Sequence, residues 1–204
     1  MKEKILAAIT IGQAPRVDIT ADILPLLPQH VTLREYGALD DFTLEEIEAR
    51  FAPAEGDEVV QQKIDQAEAE GADATILFCT GVFPKFRHKK LFLEPQPLFH
   101  AAVQKLADGD KVGVLVPMEE QIAQGYQFWG KSGVDVEIAC ASPYGAFDRV
   151  VEAAKAFKGR ELAFLCTDCM GYSVAMKRAI EDETGLSVLL PRTLAVRILC
   201  EFLA

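Results

Sequence analysis

The residues best suited to chemistry in this chain are two cysteines beside glycines. Cys79 opens Cys79-Thr80-Gly81, and Cys169 lies in Cys166-Thr167-Asp168-Cys169-Met170-Gly171; both stretches close short apolar runs. A thiol at the start of a helix is expected to lose its proton more readily and to act as a base or nucleophile. Two such thiols facing each other could handle a C–H bond next to a carboxylate. One would take the proton from one face, and the other would return a proton to the opposite face. Cys140 and Cys200 fall inside a strand-like and a helix-like run and read as small inert hydrophobes.

Other residues could hold a ligand. Gly12, Gln13 and Arg16 follow the first apolar run. Arg16 could clamp a carboxylate bidentately or sit at the surface capping the first helix. Gly12, Gly81 and Gly171 could bring backbone N–H groups to an anion, or simply make tight turns. Thr80 and Thr167 stand beside the cysteines. Glu119 and Glu120 open a helical pattern, where they complement its dipole; alternatively one of them is an acid/base group. Lys85, Arg87, His88, Lys89 and Lys90 form a basic run, read as a solvated loop or as a lid that draws in anions. Cys166 and Cys169 also have Cys-x-x-Cys spacing at a strand-to-helix junction, the context of a thiol redox pair. No further soft ligands are spaced for zinc, and His30, His88 and His100 share no motif. Neither a GxGxxG, a P-loop nor an HExxH occurs.

These residues need strands to position them. Short continuous apolar runs recur at Ile5–Ile11, Val31–Tyr36, Thr75–Cys79, Val112–Val116, Val134–Ala139, Leu162–Cys166 and Val188–Leu190, the pattern of strands covered on both faces. Helical patterns lie between them. Thr43-Leu44-Glu45-Glu46 forms a capping box; Val60, Ile64 and Ala67 share a face that stops at Gly71. Leu98, Ala102 and Leu106 line the next helix; Ile122, Tyr126 and Trp129 a further one; then Phe147, Val151, Ala154 and Phe157. Val174 and Ile180 lead to Gly185, and Leu194, Ile198 and Phe202 mark the last helix. Such alternation predicts a parallel α/β architecture, with ligands beyond the carboxyl ends of the strands. Phe78-Cys79-Thr80 and Leu165-Cys166-Thr167 echo one another, suggesting two similar α/β domains that meet across a cleft.

The 204 residues carry 21 basic and 31 acidic groups, a formal charge of −10. That field repels phosphate backbones, so nucleic acid is not an expected partner. No uncharged stretch exceeds about eleven residues, against roughly 20 for a membrane helix. The apolar run from Ile5 lacks a cleavage site and reads as a buried first strand rather than a signal peptide. Five cysteines, mostly in apolar runs, predict reduced thiols and a cytoplasmic location.

Thr10-Ile11-Gly12-Gln13-Ala14-Pro15-Arg16, Phe92-Leu93-Glu94-Pro95, Val116-Pro117-Met118-Glu119-Glu120 and Asp168-Cys169-Met170-Gly171-Tyr172 together resemble the AroM family. That family in turn resembles the aspartate/glutamate/hydantoin racemase superfamily, with its arylmalonate decarboxylases and maleate isomerases. The resemblance implies two pseudo-symmetric parallel-sheet α/β domains with the site in the cleft between them. Residues 1–95 with 191–204, including the last helix, would form one domain and residues 96–190 the other. It further implies cofactor-free chemistry on a small carboxylate, with one cysteine from each domain. The first is Cys79. The second is Cys169, by likeness to a Cys-x-Gly loop, or Cys166, by likeness to a Cys-Thr loop. The superfamily's amino-acid racemases carry Cys-Asn-Thr where this chain has Cys79-Thr80-Gly81, and Asp-Ser where it has Gly12-Gln13. Both changes remove groups that would handle a substrate amine.

The expected protein is therefore a cofactor-independent racemase, isomerase or decarboxylase with no metal. Its partner is a small-molecule carboxylate, held where Arg16 and the Gly12 and Gly81 amides would form one anion site; a homodimer is allowed, and no membrane is involved. A non-catalytic carboxylate binder on the same scaffold, and a Cys166/Cys169 redox protein, are the alternatives.

Overall fold

A computed structural model describes residues 2–42 and 53–204. The chain divides into two compact units, Met1–Pro95 with Ala195–Ala204, and Gln96–Leu194.

In the first unit, β1 (Lys4–Thr10), β2 (Val31–Gly37), β3 (Ala74–Leu77) and β4 (Leu91–Leu93) form a parallel sheet in the order β2-β1-β3-β4. β1 is central because it is apolar along its length: Leu6, Ala7, Ala8 and Ile9 are all buried, as a strand covered on both faces requires. Helix α1 (Val17–Ile23) runs on into a 3-10 turn at Leu24–Leu26. Helix α2 (Pro53–Ala69) lays Val60, Ile64 and Ala67 on Ala7, Ile9 and Leu77. The chain leaves it through Gly71 at φ +93°, a conformation that favours glycine.

The second unit repeats this plan. Its helix α3 (Pro95–Ala107) precedes β5 (Val112–Val116), α4 (Glu120–Lys131), β6 (Val136–Cys140) and α5 (Phe147–Ala154). β7 (Leu165–Thr167), α6 (Val174–Thr184), β8 (Val188–Leu189) and α7 (Pro191–Leu203) follow. The parallel order is β6-β5-β7-β8, so in each sheet the first and third strands are the central pair. Alternation along the strands feeds two cores. Val112, Val114, Val116 and Cys166 pack with Phe99, Val103 and Trp129. Leu115 and Leu165 pack with Val150, Phe157, Tyr172 and Ile180. Helix α6 is capped at both ends. Ser173 accepts a hydrogen bond from the Met176 N–H at 3.1 Å, and Gly185 closes it in the left-handed conformation.

The last helix returns to the first unit. The Lys4 Nζ donates to the Phe202 carbonyl at 3.3 Å and the Cys200 thiol to the Leu26 carbonyl at 3.4 Å; the His30 ring meets the Leu203 carbonyl at 2.9 Å. No described helix is long and apolar enough to cross a membrane.

Several expected faces are rotated. The buried row of α3 is Phe99, Val103 and Ala107, while Leu106 is exposed. That of α7 is Ala195, Val196, Leu199 and Leu203, with Phe202 exposed. Apolar residues lie all round α7, so spacing alone allows more than one row. Tyr126 and Phe147 are likewise exposed. β4 was not foreseen, because its three residues lie between a basic run and a proline, too short for a periodic signal. The capping box at Thr43–Glu46 lies outside the described residues.

Central packing gives a direct test. A Cβ added at Gly113 would lie 2.3 Å from Leu165 Cδ2 and 3.1 Å from Phe157 Cδ1. Gly113→Ala is expected to lose about 1–3 kcal/mol in urea unfolding through overpacking. Gly130→Ala in α4, with nothing within 4 Å of the added methyl, is expected to be neutral or stabilising.

Candidate active site

Each sheet presents one thiol loop at its carboxyl edge, and the two loops are built alike. In the first unit Ile9 pairs with Leu77, and the Phe78 N–H donates to the Ile9 carbonyl at 2.7 Å. In the second Leu115 pairs with Thr167, and the Asp168 N–H donates to the Leu115 carbonyl at 2.8 Å. Cys79 and Cys169 follow these last rungs and so occupy equivalent positions. The equivalence continues into the glycines: the Gly81 N–H donates to Cys79 Sγ at 3.3 Å, and the Gly171 N–H to Cys169 Sγ at 3.3 Å. An amide aimed at sulfur favours the thiolate.

This register corrects the echo read from sequence, which matched Cys79 with Cys166. Cys166 is a residue of β7 itself, wholly enclosed in the core with Phe99 and Trp129. Burial pushes its thiol well up, and the Asp168 charge adds to the push. Cys169 packs instead against the other core, beside Leu165 and Tyr172. The two thiols thus lie against opposite faces of the sheet, and all five cysteines are free. Despite their Cys-x-x-Cys spacing, Cys166 and Cys169 pack on different cores.

The expectation of a thiol lowered by a helix start also fails. Helix α6 begins only at Val174, with Ser173 as its cap. Between β3 and β4, all of it described, the chain contains no helix. Burial pushes the Cys169 thiol up; the Gly171 amide and the Tyr144 hydroxyl pull it back, the Asp168 carboxylate raises it further, and the Arg192 cation lowers it. At neutral pH Cys169 therefore holds its proton.

Three residues that fix this loop carried no clear sequence signal. The Tyr144 hydroxyl stands 3.7 Å from Cys169 Sγ. Gly171 lies so close to that tyrosine that an added Cβ would come within 2.7 Å of its hydroxyl and of Pro143. The buried Tyr172 donates its hydroxyl to the Ala141 carbonyl at 2.6 Å, and burial raises its phenol strongly. Arg192 is completely buried and its Nε donates to the Met170 carbonyl at 2.7 Å. Its one legible hint is a charge inside the apolar run from Val188 to Val196.

In the first unit the loop after β1 is held as tightly. The Asp40 carboxylate accepts from the Ala14 N–H at 2.8 Å and the Gly37 N–H at 2.7 Å. Gly37 has no room for a side chain, since a Cβ would stand 2.5 Å from the Ala14 nitrogen. Arg16 does not stand open for a ligand. Its Nε and Nη2 grip the Asp18 carboxylate at 2.8 and 2.6 Å, and its own N–H donates to Glu35 at 2.6 Å. The Gly12 N–H reaches Thr10 Oγ1 at 3.4 Å, while that of Gly81 serves the sulfur. The expected convergence of Arg16 and both amides on one anion is thus replaced by internal contacts. Gln13 is exposed and Thr80 half-buried.

In the second unit Thr167 is fully buried as the last residue of β7. Glu119 is the exposed N-cap residue of α4, and with Glu120 it adds to the push that burial gives Cys140. The basic run is no lid. Gln61 on α2 bonds both the Arg87 N–H and its carbonyl, and Glu68 accepts the Lys89 and Lys90 N–H groups at 2.6 and 2.8 Å. Among the described residues no cluster of three His, Cys, Asp or Glu could hold a metal ion. A cavity lined by Glu3, Pro28, Gln29, His30 and Ala204 opens at the amino ends of the first sheet, away from its thiol loop.

The family model described as AroM protein matches residues 6–60 and 58–203. The chain belongs to the AroM family. No curated protein matches this AroM chain. Solved structures match its fold along nearly all its length. The Picrophilus torridus aspartate racemase is 17% identical, covering 98% of this chain and 94% of that one, with a TM-score of 0.64. The maleate isomerase Iso from Pseudomonas putida S16 is 10% identical, covering 100% and 93%, with a TM-score of 0.70. An arylmalonate decarboxylase is 13% identical, covering 98% and 91%, with a TM-score of 0.65. At these identities the likeness shows the fold alone, two parallel sheets with flanking helices.

The Tyr144 contact has a measurable effect. Removing a donor that lowers the Cys169 thiol raises it further, so less thiolate exists at a given pH. Tyr144→Phe is expected to slow alkylation of Cys169 about two- to threefold near pH 8, since a tenfold change corresponds to one unit of pKa. Peptide mapping by mass spectrometry reads that rate; an unchanged or faster rate would show that the hydroxyl does not support the thiolate.

Proposed function

We propose that this AroM-family protein is a cofactor-independent enzyme that moves a proton at the carbon next to a small carboxylate, as a racemase, isomerase or decarboxylase. The supporting observation is the matched pair of thiols, Cys79 and Cys169. Each follows the last rung of its sheet, and each receives a glycine amide at 3.3 Å. Structural neighbours named as racemases, an isomerase and a decarboxylase share the fold.

In this reading both thiols serve one substrate. Cys79 as thiolate removes the proton from the carbon, and the electron pair passes into the adjacent carboxylate. Cys169, which burial keeps protonated, gives its proton to the same carbon and is left as thiolate. The Gly171 amide and the Tyr144 hydroxyl then stabilise the sulfur they already touch. With a decarboxylase substrate, loss of carbon dioxide supplies the carbanion and Cys169 alone suffices as donor. Gly12, Gln13, Thr80 and Glu119 are the residues proposed to shape binding, Arg16 being held by Asp18 and Thr167 buried in β7. Cys166 has no role beyond packing.

A panel of small carboxylates incubated in deuterium oxide tests this. The wild type is expected to exchange or incorporate deuterium at the carbon next to the carboxylate for its true substrate. Cys79→Ala and Cys169→Ala should each lower turnover about 10²–10⁴-fold, the range for an acid/base group, with unfolding midpoints near wild type. Cys166→Ala is expected to keep turnover while losing stability. Turnover of both site variants at the wild-type rate would overturn cysteine chemistry.

A further inference from the structure

Glu94 follows β4 directly, at the same edge of the first sheet as the Cys79 loop. β3 and β4 pair as far as Ile76 and Leu93, so Glu94 comes beside Leu77, and Cys79 lies two residues beyond. Neighbouring strands are about 4.8 Å apart and rise about 3.3 Å per residue, which sets the two backbones roughly 8 Å apart. Alternation also gives the two residues one face of the sheet. Leu77 is in the core beneath α2, and Cys79, Phe83 and Phe92 pack against it. Glu94 is two residues on from Phe92 and so shares that face.

The fold does not ask for a carboxyl at this position. In the second unit β7 and β8 pair as far as Cys166 and Leu189, Leu190 follows, and Pro191 opens the helix, as Pro95 does after Glu94. Leu190 is 1% exposed and shares its core with Cys169. Glu94 is half-buried where its counterpart is apolar, and burial pushes its carboxyl up against the opposing pull of His88. Among the described residues no hydrogen bond reaches that carboxyl. Nor is helix capping its task, because Pro95 and Pro97 remove two of the N–H groups of the first turn of α3. The wall beside the thiol is apolar. A Cβ at Gly81 would lie 3.2 Å from the Phe83 ring and 3.3 Å from Cys79 Sγ, and Phe86 and Phe92 continue the row at 6.0 and 5.9 Å between centroids. A polar group set beside an apolar wall is what fixes the orientation of a small ligand.

We propose that Glu94 is a substrate-recognition residue: its carboxylate accepts a hydrogen bond from a hydroxyl or ammonium group of the substrate while Cys79 works at the carbon next to the substrate carboxylate. This rests on the reading of Cys79 as an acid/base group. The substrate is then a hydroxy- or amino-carboxylate. A second carboxylate in that place would meet Glu94 as a like charge, so dicarboxylates are disfavoured.

Charged thiol reagents test the placement without any substrate. Wild type and variants are treated at about pH 8 and low salt with a cationic and an anionic methanethiosulfonate of similar size, conditions that leave carboxylates ionised and little screened. Peptide mass spectrometry reads the rate at Cys79, and the cation-to-anion ratio cancels any change in the thiolate itself. That ratio is expected to fall at least about fivefold in Glu94→Gln, the effect of a unit charge roughly 8 Å away even in water. Glu94→Asp should stay near wild type, and both variants should unfold at the wild-type midpoint. Kinetics then read the ligand class. For a compound that exchanges deuterium at the reacting carbon, Glu94→Ala should raise KM about tenfold or more, as loss of a hydrogen bond to a charged group does. Glu94→Gln should rescue a hydroxyl substrate, because its amide oxygen still accepts, and should not rescue an ammonium one. A reagent ratio unchanged in Glu94→Gln, or a dicarboxylate as the preferred substrate, would overturn the proposal. A panel in which nothing exchanges would tell against the proposed function, and the reagent ratio alone would then decide the place of Glu94.

Discussion

Two backbone hydrogen bonds carry the candidate site, Phe78 N–H to the Ile9 carbonyl and Asp168 N–H to the Leu115 carbonyl. They are the last rungs of the two central strand pairs. Everything past them is released from the sheet. Because pairing with the outer strands β4 and β8 stops one rung earlier, at Ile76–Leu93 and Cys166–Leu189, the chain past the central rung leaves the ladder and enters the loop. In both units that loop carries a cysteine. The tight core below, with Leu6 to Ile9 in one sheet and Val112 to Val116 in the other, is what keeps these rungs from slipping. A one-residue slip would exchange core and loop side chains along the whole strand.

Within that frame, burial and hydrogen bonding pull the Cys169 thiol in opposite directions, and burial prevails. A sulfur that rests protonated is suited to giving a proton. The contacts that favour thiolate, from Gly171 and Tyr144, matter after the proton has left. The loop is braced from below by Arg192 and Tyr172, two fully buried polar side chains that satisfy the Met170 and Ala141 carbonyls. Leaving those carbonyls unpaired would cost about 1–3 kcal/mol each.

Much of this was legible in the sequence because it rests on continuous apolar runs. β1, β5 and the α2 face of Val60, Ile64 and Ala67 were read correctly, as were Cys79 and Cys169 at strand ends and Gly185 as a helix stop. The rest depends on facts a single chain does not display. Helix faces in α3 and α7 were misread because their apolar residues surround the axis. The short β4 lacks periodicity. The sequence allows Arg16 to be either a ligand clamp or a surface residue at the first helix, and Asp18, two residues on, captures it locally. Cys166 and Cys169 looked like a pair because spacing shows separation along the chain and not the face of the sheet. Tyr144 and Arg192 reach the thiol loop from distant elements, so their relevance arises only with tertiary contact.

Alternation along β7 has a consequence for the chemical durability of the protein. Side chains of a strand turn to opposite faces, so Cys166 is sealed among Phe99, Val103 and Trp129 while Cys169 belongs to the loop and the other core. The folded chain thereby holds the Cys169 sulfur and the nearest cysteine in sequence on different cores. Packed on different cores, the two sulfurs are not set to close a disulfide while β7 keeps its place in the sheet. Closure of that small ring would be a mark of chains that have already lost their fold, and the native protein would age by modification of Cys169 itself rather than by an internal crosslink.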